Sequence, residues 1–306
     1  MQHLVVIEGP TASGKTALAI ELAIKLNTVI LSADSRQFYK EMSIGTAKPT
    51  PEEMKKIPHY FIDSHSIHQP LTAATFEEEA LKLISSDLKH LPFLVLVGGS
   101  GMFIDALCNG LDPIPTDETI QLNLREELEL HGLEPLLSEL EAKDPVFYQE
   151  VDKNNSMRIL RALEVIRISG KTFSELRLQK ASKRPFIVYK FVIDLPREIL
   201  YNRINKRVDI MLENNLLKEV ESLNHLRHLT AVQTVGYKEF FPYFDGELDL
   251  ESCIEKVKQH TRNYAKRQLT WFRKDTNAHW LKAQQTNEQC AEIIQHLVNQ
   301  HNLTLE

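Results

Sequence analysis

The sequence predicts an α/β fold: a parallel β-sheet flanked by helices on both faces, with an all-helical insertion. Three observations carry this. Four short apolar runs, 3–8, 28–33, 93–97 and 186–193, each stop at a glycine or an aspartate, as buried strands of a parallel sheet do. Helical stretches separate them, which is the alternation of layered α/β proteins. Between about 113 and 185 the strand signal disappears and only helical patterns remain.

The first run, HLVVIE, ends at Gly9, and a helix follows it. Leu18, Leu22 and Leu26 recur at i, i+4 and i+8 with Ala19 and Ala23 beside them, so one stripe of that helix faces a core. The run TVILSA ends at Asp34, FLVLV at Gly98-Gly99, and FIVYKFVI at Asp194. The insertion opens with the turn-rich DPIPT at 112–116 and continues through LNLREELELHG and LEPLLSELEAKD. It ends on a helix that turns Ile159, Leu163 and Ile166 to one side and stops at Ser169-Gly170. The expected division is therefore 1–112 with 186–306 as the core and C-terminal helices, and 113–185 as the insertion.

The chain has 306 residues, 42% hydrophobic and 25% charged, an ordinary globular composition. No run approaches the roughly 18 apolar residues of a membrane span, and the N-terminus reads as a first strand, not a signal peptide. Cys108, Cys253 and Cys290 form no CxxC pair, which points to a reducing compartment, and a cytoplasmic location is expected. The net charge of −6 argues against a nucleic-acid partner only until its distribution is considered. Residues 117–150 carry ten acids against Arg125 and Lys143, while residues 256–274 carry seven Lys/Arg and no acid. A nucleic acid responds to the local field, so one basic face is enough.

Gly9-Pro10-Thr11-Ala12-Ser13-Gly14-Lys15-Thr16 fits the phosphate-loop pattern GxxxxGK[ST], placed between a strand and a helix as that motif requires. Glycines let backbone N–H groups turn toward an anion, and the helix N-terminus adds its dipole. Lys15 supplies a point charge and the Thr16 hydroxyl can ligate Mg²⁺. The loop makes the sheet P-loop NTPase-like and reads two linked phosphates, whatever the rest of the ligand is.

Asp34 closes the second strand, at the sheet edge where open α/β proteins bind ligands. Its carboxylate suits a magnesium ligand, a general base or a helix cap. In the GGSG at 98–101, Ser100 offers a hydroxyl toward the phosphate loop or simply sits in a tight turn. Arg203 and Arg207, at i and i+4, suit a second grip on a diphosphate or a solvated helix face. Arg158 and Arg161 are similarly open between phosphate contact and solvent. In 256–274 the aromatics Tyr264, Trp271 and Phe272 can stack on bases or anchor the helix in a core.

Taken in order, seven blocks resemble the tRNA dimethylallyltransferase (tRNA isopentenyltransferase) family, bacterial type. They are GPTASGKT at 9–16, DSRQFYKEMSIGTAKP at 34–49, GGSGMF at 98–103, RILRALEV at 158–165, SGKT at 169–172, VGYKEF at 235–240 and TRNYAKRQLTWFR at 261–273. The resemblance implies transfer of a dimethylallyl group from dimethylallyl diphosphate to the N6 amine of adenine 37 of tRNA, with Mg²⁺. It implies that Lys15, Thr16 and the loop amides hold the diphosphate, that Arg207 reaches it, that Asp34 is the base and that Ser100 lines the reaction channel. It assigns tRNA contact to Asp34, Ser35, Arg36, Gln37, Ser100 and to Met157, Arg158, Ile159, Leu160 and Arg161. It gives the insertion the anticodon stem-loop as its partner. A monomer is expected. Ser100 stands where the family usually has threonine, so the hydroxyl is kept. Asp152-Lys153-Asn154-Asn155 replaces a usual HPND, and Met157 a frequent glutamine. The rival readings are a P-loop small-molecule kinase, which leaves the basic aromatic helix near 256–274 unexplained, and a non-catalytic RNA-binding module, which leaves the intact phosphate loop unexplained.

Overall fold

The computed structural model describes residues 1–177, 182–282 and 285–301. Six strands form one sheet: β1 (Gln2–Glu8), β2 (Ile30–Ser32), β3 (His59–Tyr60), β4 (Phe93–Gly98), β5 (Phe186–Ile193) and β6 (His279–Leu281). Their order is β3-β2-β4-β1-β5-β6 and every pairing is parallel. The predicted fold class is correct. β3 and β6 escape the sequence reading because two or three residues are too few to show a period of 2.

Strand periodicity sets the layers. Val5 and Ile7 of β1 face one side, where they pack with Leu18, Leu22, Phe191, Ile293 and Leu297. Leu4 and Val6 face the other, with Phe38, Phe76, Ile84, Leu94 and Leu107. β1 is therefore buried on both faces. With β4 and β5 paired on its two sides, its C-terminal end at Glu8 is fixed in the middle of the sheet edge. A third apolar cluster holds Tyr39, Met42, Val208, Leu216, Val220, Tyr237, Phe240 and Val257. It joins the segment after β2 to the helices Arg197–Glu213, Leu216–Leu223 and Leu250–Phe272.

By its internal contacts the chain divides into two units, Met1–Cys108 with Arg184–Glu306, and Asn109–Lys183. The second is built from helices Glu118–His131, Glu134–Lys143, Pro145–Glu150, Ser156–Ser169 and Phe173–Leu176. Leu124, Leu136, Leu140, Phe147, Ile159, Leu163 and Ile166 form its core. Gly170 ends the long helix in the left-handed conformation, φ 68°, where a glycine carries no Cβ penalty. Among the described residues no helix is long and apolar enough to cross a membrane.

Candidate active site

The phosphate loop runs from the end of β1 to the helix Lys15–Lys25. Ala12 and Gly14 both take positive φ, 63° and 97°. The alanine stores roughly 1–2 kcal/mol of backbone strain, of the kind that marks functional loops. The Ser13 N–H donates to Pro10 O at 3.2 Å and closes the turn. The Ser13 hydroxyl is buried with no hydrogen-bond partner.

Three cations surround this loop, and their partners are neutral. Lys15 Nζ donates to Pro10 O at 3.1 Å. Arg203 Nη1 donates to Ser13 O at 3.2 Å, and Arg207 Nη1 to Thr11 Oγ1 at 3.3 Å. Burial pushes the Lys15 ammonium down to about 8; Asp34 opposes the shift and Arg207 adds to it. Arg207 is lowered too, by burial, with Asp34 again opposing. Both arginines of the predicted second grip thus hydrogen-bond to the loop, Arg207 partly buried and Arg203 on the exposed side of its helix.

Asp34 follows β2 in a turn, and its Oδ1 accepts the Arg36 N–H at 3.0 Å. No helix follows Asp34, so it caps a turn and not the helix expected, and its carboxylate lines a cavity of about 340 Å³ together with Thr11, Lys15, Arg207 and Tyr264. Ser100 Oγ accepts the Ser35 N–H at 3.0 Å and donates to Ser35 Oγ at 3.1 Å, so it holds the turn that carries Asp34. Gln37 is occupied internally: its Nε2 donates to Thr46 O and Ala47 O at 3.2 and 3.1 Å. Ser35 and Arg36 line the same cavity. A neighbouring cavity of about 390 Å³ shares Lys15 and Arg207 and adds Thr16, Lys48, Arg203 and Lys206.

The helix Leu250–Phe272 closes the cavity. Gln268 Oε1 accepts the Thr11 N–H at 2.9 Å and its Nε2 donates to Gly99 O at 2.8 Å, tying the loops after β1 and β4 together. A Cβ on Gly99 would lie 2.3 Å from Gln268 Nε2, and one on Gly101 2.3 Å from the Trp271 ring. The glycines after β4 are thus explained by close approach of this helix. Trp271 Nε1 donates to Asp105 Oδ2 at 2.8 Å, and Phe272 is buried; both are anchors rather than stacking platforms. Tyr264 lines the cavity, and burial, with Asp34 adding, pushes its hydroxyl up to about 12.

A sequence-family profile for IPP transferase matches residues 37–275. The chain belongs to the IPP transferase family. It is 44% identical to the tRNA dimethylallyltransferase 1 of Bacteroides thetaiotaomicron over 306 residues, covering 99% of this chain and 97% of that protein. Its fold matches a Bacillus halodurans tRNA isopentenylpyrophosphate transferase with a TM-score of 0.72 at 35% identity, over 98% of this chain and 96% of the other. A eukaryotic dimethylallyltransferase described as acting on tRNA matches with a TM-score of 0.80 at 26% identity, over 97% of this chain and 78% of the other.

In this IPP transferase the insertion residues fall into two sets. Met157 and Arg158 are exposed, whereas Ile159 and Leu160 are buried in the helical core. Their side chains position the helix and offer nothing to an RNA surface. Arg161 donates to Pro115 O at 2.9 Å, Ile114 O at 3.3 Å and Glu164 Oε2 at 2.6 Å. Its guanidinium is already committed within its own unit.

For magnesium, the described residues contain no group of three or more His, Cys, Asp or Glu side chains able to hold a metal. Thr16 lies in the first turn of the loop helix and lines the second cavity with Lys15. This fits an ion that takes one protein hydroxyl and the oxygens of a diphosphate, the usual manner of Mg²⁺. It does not fit a dedicated protein cage.

Tyr264 stands out in the sequence, but as a candidate for stacking; Gln268 was missed, as were Glu219, which accepts from the Ser43, Ile44 and Gly45 amides, and Glu239, which accepts from the amide of cavity-lining Gly236 at 2.8 Å. Gln268 lies within the TRNYAKRQLTWFR block, which carried the family resemblance without assigning it a task. Glu239 lies in VGYKEF and Glu219 in the unremarkable helix LLKEVESL.

Proposed function

We propose that this IPP transferase moves the dimethylallyl group of dimethylallyl diphosphate to the N6 amine of adenine 37 in tRNA. The observation that carries this is that Lys15, Arg207 and the Asp34 carboxylate line one cavity. Cations there neutralise a leaving diphosphate while a carboxylate stands ready for a proton. The bond between the allylic carbon and the diphosphate oxygen breaks, the carbon–N6 bond forms, and the N6 proton passes to Asp34. An adenine amine is a weak nucleophile because its lone pair is delocalised into the ring, so orientation and a base are both needed. Diphosphate leaves readily once Lys15, Arg207 and the loop amides stabilise its charge. Thr16 would hold Mg²⁺, which would supply further neutralisation of the diphosphate charge.

Adenine 37 must leave its stack to enter the cavity, so the base is extruded. Ser35 and Arg36, lining the cavity, and the basic face of 256–274 are placed on the same unit as Asp34. Unit Asn109–Lys183 takes the anticodon stem-loop, with Arg158 its exposed cation on the long helix. The experiment is incubation of the protein with labelled dimethylallyl diphosphate and unmodified tRNA, beside labelled ATP and small acceptors. Label recovered as a prenylated adenosine supports the reading. Steady ATP consumption with phosphorylation of a small acceptor and no label in tRNA would replace it with the kinase.

A further inference from the structure

The segment Ser43–Ala47 stands in both cavity walls. Gly45 and Thr46 line the cavity of Asp34, and Ala47 with Lys48 lines its neighbour; Lys15 and Arg207 belong to both. This segment has no strand or helix of its own; beside the turn bond from Ala47 N to Ile44 O at 3.0 Å, side chains hold it. On one side Gln37 donates to the carbonyls of Thr46 and Ala47. On the other a single carboxylate collects the amides. Glu219 Oε2 accepts from Ser43 N at 3.0 Å and Ile44 N at 2.8 Å, and Oε1 accepts from Gly45 N at 3.0 Å and the Tyr237 hydroxyl at 2.6 Å.

Consecutive amides wrapped on an anion form a nest, and here the anion is the protein's own side chain. The fit leaves no slack. A Cβ on Gly45 would lie 2.5 Å from the Tyr237 ring, and Tyr237 is fully buried. We infer that Glu219 is a positioning residue for the diphosphate: it holds the Ser43–Ala47 wall against Lys15 and Arg207. The inference rests on the reaction proposed above for the meaning of the cavity, but not for the geometry of the wall.

Glu219→Gln isolates the effect, because a carboxamide has one acceptor oxygen for four donors. The best orientation keeps that oxygen on Ser43 and Ile44 and turns the Tyr237 hydroxyl to accept from the new NH₂. The Gly45 amide, at the cavity wall, then loses its acceptor. Tyr237→Phe keeps the ring packed on Gly45, removes only the hydroxyl's hydrogen bond to Glu219 and leaves all three amides bonded, so it reports the loss of that one bond without freeing the wall.

The full-length variants are compared by steady-state transfer with dimethylallyl diphosphate and tRNA, and by calorimetric titration with inorganic diphosphate. Glu219→Gln is expected to raise KM for dimethylallyl diphosphate about tenfold, with kcat within about threefold, the pattern of lost uniform binding. KM for tRNA should stay unchanged, and Tyr237→Phe should keep its KM within about twofold. A wild-type KM in Glu219→Gln, or kcat falling in parallel with melting temperature in both variants, would overturn the inference. Should Glu219→Gln fail to fold, Glu219→Asp carries the same test, since it keeps both acceptors on a shorter arm. A raised KM with kcat held supports the wall; a wild-type KM refutes it. If the wild-type protein transfers no prenyl group, the proposed reaction fails, yet weaker diphosphate titration in Glu219→Gln would still support this role.

Discussion

Lys15, Arg203 and Arg207 at the phosphate loop differ from Arg161 and Arg167 in the helical unit in what they touch. The first three donate to carbonyl and hydroxyl oxygens, Pro10 O, Ser13 O and Thr11 Oγ1, and among the described residues none forms an ion pair. Arg167 grips Glu127 with two hydrogen bonds at 2.7 and 2.9 Å and Glu139 with two more at 3.2 and 2.5 Å. Arg161 binds Glu164, itself 2% exposed and bonded to Asp117 N and Gln121. Burying a cation without an anion is costly, and the cost is visible in the lowered Lys15 and Arg207. Around Arg167 the opposite occurs: its hydrogen bonds hold Glu127 and Glu139 below the usual carboxylate range. Lys15 and Arg207 are held at such a cost beside neutral partners, whereas Arg161 and Arg167 are saturated by carboxylates of their own unit. Charge in the sequence does not separate Arg203 and Arg207 from Arg161 and Arg167, because all four read as arginines on helices.

The comparison can be broken first at its catalytic end. Asp34→Asn keeps the turn geometry and removes the base, so the single-turnover transfer rate on preformed enzyme–tRNA complex should fall about 10²–10⁴-fold. Affinity for tRNA should hardly change. If raising Mg²⁺ restores the rate, Asp34 is a metal ligand instead. Lys15→Ala comes next, with a loss of on the order of 3 kcal/mol in the barrier, read from the same assay.

The state of Lys15 also sets a pH dependence. Its ammonium in the free enzyme loses its proton near 8, so the cation is present below that value and disappears above it. The kcat/KM for dimethylallyl diphosphate should therefore fall as pH rises through about 8, since this ratio reports the free enzyme. Lys15→Arg, permanently charged, should lose that limb of the profile. An unchanged limb in Lys15→Arg would place the titration elsewhere.

At the other end of the comparison the effects are on stability. Arg167→Ala removes the partner of two carboxylates, but the site is partly exposed, and screening limits the loss to about 1 kcal/mol. Thermal unfolding should shift by a few degrees with transfer kinetics intact. The smallest effect belongs to exposed Arg158. If it meets an RNA phosphate, Arg158→Ala should reduce the slope of log affinity against log salt by about 1. An unchanged slope would return it to solvent.

Much of this was legible in the chain. Apolar runs ending at Gly9, Asp34, Gly98 and Asp194 located four of six strands, because a buried parallel strand leaves a continuous hydrophobic signature. The phosphate loop and Asp34 were visible because glycine pattern and sheet edge are local facts. Two-residue β3 had no such signature. Gln268 and Glu219 were hidden for another reason. Each acts on loops distant in sequence, Thr11 with Gly99 and Ser43–Gly45, and a polar residue on an amphipathic helix looks the same whether it meets water or a backbone amide. The insertion helix shows the converse. Its Arg158-Ile159-Leu160-Arg161 run carried a resemblance to RNA contact, but helical periodicity buries Ile159 and Leu160 and leaves Arg158 exposed.

The account stands most directly on the affinity for inorganic diphosphate, measured by calorimetry on Arg203→Ala/Arg207→Ala and on Arg161→Ala/Arg167→Ala. Each guanidinium–phosphate contact is a charge-assisted hydrogen bond contributing roughly 1.5–3 kcal/mol. The first double variant should bind diphosphate at least about 100-fold more weakly, and the second within about twofold of wild type. Equal losses in the two, or wild-type affinity in the first, would contradict it.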